Sequence, residues 1–343
     1  MIYSFKNDYN SICHPLVLQK LIECQYEQSV GYGLDMHTSK AKELIINKIQ
    51  HKSEVYFLTG GTQANLVVIS SVLRPFEAVI CVESGHINVH ETGAIEGQGH
   101  KVITVKGENG KIRPIDIQGV LEEHVDCHMV KPKLVYISNA TELGGVYSTD
   151  ELKNLYEFCS KNDLYLYLDG ARLASALATD YLNYRDLGLY TDIFYIGGTK
   201  NGSYSGEAVV INNLALAKDF DYCLKHFGAM LAKGFVGSIP FEVLMSDNLY
   251  YEIGKKENEC AFYLISKLKE LGVCFYYESI TNQIFPVITK QEMEALKEDY
   301  LFEIWKYISD DKVVIRLVTS FTTTLEICQN FIDYYKRKAK KEQ

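Results

Sequence analysis

The chain has 343 residues, ample for a large core and about two domains. Its 44 acidic against 35 basic residues give a formal charge of −9, which argues against nucleic acid as the main partner because phosphate contacts need clustered Lys and Arg. Nine dispersed cysteines without a C-x-x-C pair suit reduced thiols in a cytosolic chain better than disulfides or zinc, so no metal is expected. No segment reaches the ~18 uncharged apolar residues of a membrane helix, and the N-terminus lacks a signal-peptide pattern.

In chain order, a helical pattern over Ser39–Ile49 precedes the strand-like run Val55–Leu58. Thr59-Gly60-Gly61-Thr62 then turns into a helix predicted over Gln63–Val72. Backbone N–H groups at such a helix start can hold a phosphate, although the same pattern also makes a plain turn. Strand Val79–Val82 leads into Ser84-Gly85-His86, where a histidine could stack on a flat ring or make an ordinary loop hydrogen bond. Glu91 could orient something near His86 or stay solvated. Strand Val102–Val105 and helix Ile115–Glu123 follow. Strand Leu134–Ser138 then opens into the polar loop Asn139-Ala140-Thr141-Glu142, and a helix is predicted over Thr149–Lys161.

The next two strands carry the strongest signal. Leu164–Leu168 ends in Asp169-Gly170-Ala171-Arg172, and Ile193–Ile196 ends in Gly197-Gly198-Thr199-Lys200. Open α/β sheets bind ligands at such strand ends. An acid facing a ring nitrogen and a lysine able to form a Schiff base are what pyridoxal 5′-phosphate needs from a protein. With strand Ala208–Ile211, the alternation predicts a large domain over residues 12–245, with a mostly parallel seven-stranded sheet between helices.

After Pro240 the pattern changes. One long helix is predicted to about Leu271, ending at Gly272. Strands Val273–Tyr277, Gln283–Ile288 and Val313–Val318 then alternate with helices near Gln291–Tyr300 and Thr323–Lys336. That predicts a smaller α+β domain over residues 246–343, with residues 1–11 contributing. The basic end, Lys336 to Lys341, reads as a helix terminus with dipole-favoured cations. Arg316 inside the apolar run Val313–Val318 needs a partner unless it faces outward, and a substrate carboxylate would supply one.

Tyr32-Gly33, Thr62-Gln63-Ala64-Asn65, His86, Asp169-Gly-Ala-Arg172, Lys200 and Arg316-Leu-Val-Thr319 together resemble the L-threonine aldolase (low-specificity) family, in the β-eliminating-lyase group of fold-type-I pyridoxal-phosphate enzymes. The resemblance implies a pyridoxal-phosphate transferase-like fold and the following roles. Lys200 would carry the cofactor, Asp169 would pair with its pyridine nitrogen, and His86 would stack on its ring. Gly60, Gly61 and Thr62 would hold the phosphate. Arg172 would lie beside the ring's phenolic oxygen and the substrate carboxylate, which Arg316 would grip. Asn7 and Asp8 would lie in an N-terminal loop near the substrate, and Tyr32 and Lys233 would reach a neighbouring subunit's site in a dimer or dimer of dimers.

The loop Ala140-Thr141-Glu142 departs from the family's Asn-Thr-His and places Glu142 where a substrate-facing imidazole is expected. The implied reaction is cleavage of L-β-hydroxy-α-amino acids to glycine and an aldehyde, with His86 as the base. Another pyridoxal-phosphate reaction (β-elimination or transamination), or a non-catalytic protein of this fold, is the alternative.

Overall fold

The structure, a computed structural model, describes residues 2–339. Its strands in chain order are β1 (Tyr3–Ser4), β2 (Glu54–Leu58), β3 (Glu77–Val82), β4 (Lys101–Val105), β5 (Lys131–Ser138), β6 (Tyr165–Asp169), β7 (Ile193–Gly197) and β8 (Glu207–Ile211). These are followed by β9 (Cys274–Phe275), β10 (Gln283–Ile284), β11 (Pro286–Thr289), β12 (Tyr300–Leu301), β13 (Glu303–Tyr307) and β14 (Lys312–Val318).

Seven of them form one sheet in the order β2-β8-β7-β6-β5-β3-β4. β8 alone runs against the common direction of the other strands, antiparallel to both β2 and β7. The other six therefore bring their C-terminal ends to one edge, where ligands bind in sheets of this kind. Alternation divides the side chains between two cores. Leu166, Leu168, Phe194, Ile196 and Val210 face one layer of helices. Tyr136, Tyr167, Tyr195, Val209 and Ile211 face the other, with Ala64, Val67 and Val68 of helix Gly61–Val72. Each fully buried Leu, Ile, Val or Phe among them contributes roughly 1.5–3 kcal/mol.

Local chemistry sets the helix starts. Asp35 caps helix Met36–Ile49, its Oδ1 accepting from the Thr38 N–H at 2.7 Å. The helix expected from Thr149 is capped by Ser148, which shares reciprocal hydrogen bonds with Glu151.

The second sheet is antiparallel. β14 lies between β13 on one side and β10 with β11 on the other, and β9 pairs with β11. Phe5 is buried against Ile315, Leu317, Phe331 and their neighbours, and β1 pairs in parallel with β12.

Three sequence expectations change here. The single helix expected after Pro240 is two, Gly234–Leu244 and Leu249–Glu270, because Asp247 and Asn248 adopt left-handed backbone between them. Pro240 is tolerated inside the first helix: the Val236 carbonyl, four residues earlier, accepts the Tyr204 hydroxyl instead. The helix expected to reach Tyr300 stops at Leu296, because Tyr300–Leu301 pairs with a strand some 300 residues away in sequence. The strand expected over Gln283–Ile288 is broken at Phe285, and β13 had not been anticipated. Lys340 and Lys341 of the expected basic end lie outside the described residues.

Candidate active site

The site forms where the parallel strands end. β6 delivers Asp169, and β7 leads through Gly198 and Thr199 to Lys200. Gly170 is required between them, since a Cβ there would lie 1.9 Å from the Tyr195 carbonyl oxygen. β2 runs into the turn that starts helix Gly61–Val72, β3 into His86, and β5 into the loop that carries Glu142. Lys200, Asp169, Arg172, His86, Gly60, Gly61, Thr62, Arg316 and Glu142 all line one cavity of about 630 Å³. Of the other candidates, Asn7 is turned back on its own loop, where its Oδ1 accepts from the Tyr9 N–H at 3.2 Å. Tyr32 and Lys233 lie outside this cavity, on a surface where Lys225 stands over the Tyr32 ring and Lys233 is exposed.

Asp169 is buried and takes four donors. Tyr136 Oη (2.6 Å) and Asn65 Nδ2 (3.2 Å) reach Oδ2, while Tyr195 Oη (2.5 Å) and the Ala171 N–H (3.0 Å) reach Oδ1. Tyr167 Oη steadies Asn65 Oδ1 at 2.8 Å. Burial, together with the Asp169 charge, pushes the three phenols well above their ordinary range, so they remain neutral donors. The sequence analysis placed these tyrosines inside strand-like runs and gave them no role. Their signal was present, because all three project from one face of adjacent strands near the strand ends.

His86 Nδ1 is 2.8 Å from Glu91 Oε1, and Asn65 Nδ2 donates to the same oxygen at 2.7 Å. Glu91 is therefore a buried orienting carboxylate rather than a solvated one. It favours the tautomer with the proton on Nδ1 and leaves Nε2 as the acceptor. Glu142 Oε1 accepts from Ser138 Oγ (2.6 Å) and from the His86 N–H (3.2 Å), while its Oε2 is buried without a partner. Burial raises the Glu142 carboxyl pKa, with the Ser138 hydroxyl opposing.

The two arginines differ. Arg172 is held by Asp8 through Nε (2.7 Å) and Nη2 (3.0 Å), and Asn282 also donates to Asp8. Asp8, expected with Asn7 in a loop near the substrate, instead holds the arginine that lines the cavity. Arg316 has a buried, unpartnered Nε, and its guanidinium lies over the Trp305 ring at 5.3 Å. Burial, with Arg172 nearby, lowers the Arg316 pKa. Lys200 makes no hydrogen bond or ion pair among the described residues. Burial first, and then Arg172, lower its pKa and so favour the neutral amine. Glu207, another residue the sequence reading passed over, accepts from the Gly198 N–H at 2.8 Å, and burial pushes its carboxyl up to about 7.

These groups fit pyridoxal 5′-phosphate. The first turn of helix Gly61–Val72 has no side-chain cap and opens on the cavity, as an anion site does. The unpaired lysine, the buried acid and the unpaired guanidinium complement the aldehyde, the pyridine nitrogen and a carboxylate respectively. Such a sheet and site define a pyridoxal-phosphate enzyme of fold type I.

Comparison with known proteins identifies the lineage. Residues 16–291 match the family described as β-eliminating lyase, and the chain belongs to that family, whose enzymes depend on pyridoxal phosphate. It is 33% identical over 296 residues to the low specificity L-threonine aldolase of Pseudomonas sp. (strain NCIMB 10558), covering 85% of each chain. A solved threonine aldolase structure from Leishmania major superposes with a TM-score of 0.96 at 43% identity, covering 98% of this chain and 99% of that one. A Thermus thermophilus aspartate aminotransferase (TM-score 0.70, 12% identity, covering 98% and 91%) shares the fold alone. Among the described residues, no helix is long and apolar enough to cross a membrane.

Proposed function

We propose that this protein cleaves the Cα–Cβ bond of L-β-hydroxy-α-amino acids of the threonine and allo-threonine type, giving glycine and an aldehyde. The observation that carries this reading is the buried Arg316 Nε, without a hydrogen-bond partner among the described residues, in the same cavity as Lys200, Asp169 and His86. The names of the Pseudomonas and Leishmania major relatives favour aldol cleavage over the other reactions open to this fold.

Pyridoxal phosphate, when bound, supplies the sink for the electron pair left at Cα. Lys200 would hold it, and Gly60, Gly61 and Thr62 would take its phosphate. Asp169 would face the pyridine nitrogen, its position fixed by Tyr136, Tyr195 and Asn65. Arg316 would bind the substrate carboxylate and so fix which Cα bond stands ready to break. Arg172, positioned by Asp8, would lie beside it. His86 Nε2 would take the β-hydroxyl proton, with Glu91 stabilising the ring as it gains charge. Glu142 Oε2, buried and unpaired, is the second candidate for that proton.

The same proposal has a large cofactor-binding domain (residues 12–245) and a smaller one (246–343 with 1–11), in a cytoplasmic homo-oligomer. Tyr32 and Lys233 would then serve the neighbouring subunit. All nine cysteines are free, which suits a reducing compartment.

The test is to incubate the purified enzyme separately with L-threonine, L-allo-threonine, L-serine, L-cysteine and L-alanine and to separate the products. Glycine and acetaldehyde in equal amounts from the threonines are expected. Keto acid as the main product would overturn aldol cleavage in favour of elimination or transamination.

A further inference from the structure

We propose that Cys24, Glu27 and His37 form a binding site for a divalent metal ion of borderline softness, Zn²⁺ foremost, outside the cofactor cavity. Their thiol, carboxylate and imidazole ligand atoms lie within 4.8 Å of one another. Zn²⁺ takes all three ligand types, and the mixture of soft and hard atoms disfavours Mg²⁺ and Ca²⁺. The chain's two H-x-x-x-H pairs, His86/His90 and His124/His128, gather no such group among the described residues.

The local structure fixes each ligand. Cys24 caps the C-terminal end of helix Pro15–Glu23, and the Glu27 N–H donates to the Cys24 carbonyl at 3.0 Å, so one turn presents both side chains. His37 is held in the first turn of helix Met36–Ile49, behind the Asp35 cap. Its Nδ1 lies 2.7 Å from Glu242 Oε2, and Lys20 stands 3.4 Å from the other oxygen of Glu242. That bond orients the ring and leaves Nε2, 2.9 Å from Glu27 Oε2, as the ligand nitrogen. An imidazole whose second nitrogen donates to a carboxylate is the usual support of a metal-binding histidine.

Cys24 and His37 are buried, whereas the Glu27 side chain is 47% exposed. The exposed carboxylate gives the ion a path in and leaves room for water as a fourth ligand. Zn²⁺ bonds of ~2.0–2.3 Å would require this carboxylate to give up its bond to His37 Nε2 and turn toward the ion.

A proton competes with the metal. Burial works against a charged His37, but its bonds to Glu242 and Glu27 outweigh that and raise its pKa, and burial raises the Cys24 thiol. Metal binding therefore releases protons and tightens as pH rises. A bound ion would tie together the two ends of segment 24–37, which carries Tyr32.

The experiment uses untagged holoenzyme, treated with EDTA and exchanged into metal-free buffer. It is titrated with Zn²⁺ against a chromophoric chelator, and separately with Co²⁺. One tight equivalent per chain is expected, with a thiolate charge-transfer band and tetrahedral d–d bands for Co²⁺. Cys24→Ser should remove both the band and the tight equivalent, and Glu242→Gln should weaken binding by roughly 10–100-fold. Should Cys24→Ser fail to fold, Glu27→Gln, at a half-exposed position, carries the same expectation of lost tight binding. No tight equivalent in the wild type, or binding unchanged in these ligand variants, would overturn the site and leave His37 as an imidazolium bridging two glutamates.

Discussion

Replacing Arg316 by Leu tests the site most sharply, because activity and stability should respond differently. In the structure, Arg316 Nε is buried without a partner, and its guanidinium has one aromatic neighbour, Trp305. A substrate carboxylate gripped by the guanidinium fork forms two charge-assisted hydrogen bonds, each worth roughly 1.5–3 kcal/mol. Their loss amounts to about 3–6 kcal/mol, or roughly 10²–10⁴-fold in kcat/KM at about 1.4 kcal/mol per tenfold. Most of this should fall on KM, since the carboxylate is bound in both the ground and the transition state. Stability should change little. The lost contact with Trp305 is worth about 0.5–2 kcal/mol, and removing a half-buried charge that has no ion-pair partner among the described residues offsets it. Arg316→Lys, which keeps the charge but not the fork, should recover part of the loss. The assay is glycine release over a range of L-threonine concentrations, with cofactor content read from absorbance and melting temperature measured in parallel. A kcat/KM within about threefold of wild type, with cofactor bound, would refute the carboxylate role and make Arg316 a structural partner of Trp305.

Borohydride reduction of the yellow protein should fix the cofactor on Lys200, and peptide mapping that finds it on another lysine would displace that assignment. Mixing inactive Lys200→Ala with an inactive Tyr32 or Lys233 variant should restore partial activity after subunit exchange; no rescue in demonstrated hybrids would place each site within one chain. Glu142→His should raise kcat/KM for L-threonine and L-allo-threonine relative to other substrates, because imidazole can donate where an ionised carboxylate cannot. An unchanged ranking with cofactor bound would remove Glu142 from specificity. Glu207 holds its proton more tightly folded (about 7) than at its ordinary 4.5. Its contribution to stability is therefore fully present below about pH 4.5 and lost as pH rises through about 7. Glu207→Gln should flatten the melting profile across that window, and an unaltered profile would mean that Glu207 ionises freely.

The amino-acid sequence by itself determined the features written in local chemistry. Apolar runs ending in Gly, an acid, a His or a Lys marked strand ends, so Asp169, Lys200, His86 and the Gly60-Gly61-Thr62 turn could be named before their neighbours were known. The parallel alternation followed from the same runs. Only the tertiary structure decided what meets across long separations. Asp8 grips Arg172 from 164 residues away, and Tyr136, Tyr195 and Asn65 converge on Asp169. Tyr300–Leu301 leaves its helical pattern to pair with Tyr3–Ser4. The physical reason is common to these cases. A strand end or a helix cap is stabilised by residues within a few positions, so its composition announces it. A buried carboxylate–guanidinium pair or a tyrosine hydroxyl on an acid is stabilised by a partner the chain reaches only after folding, and no local pattern records where that partner lies.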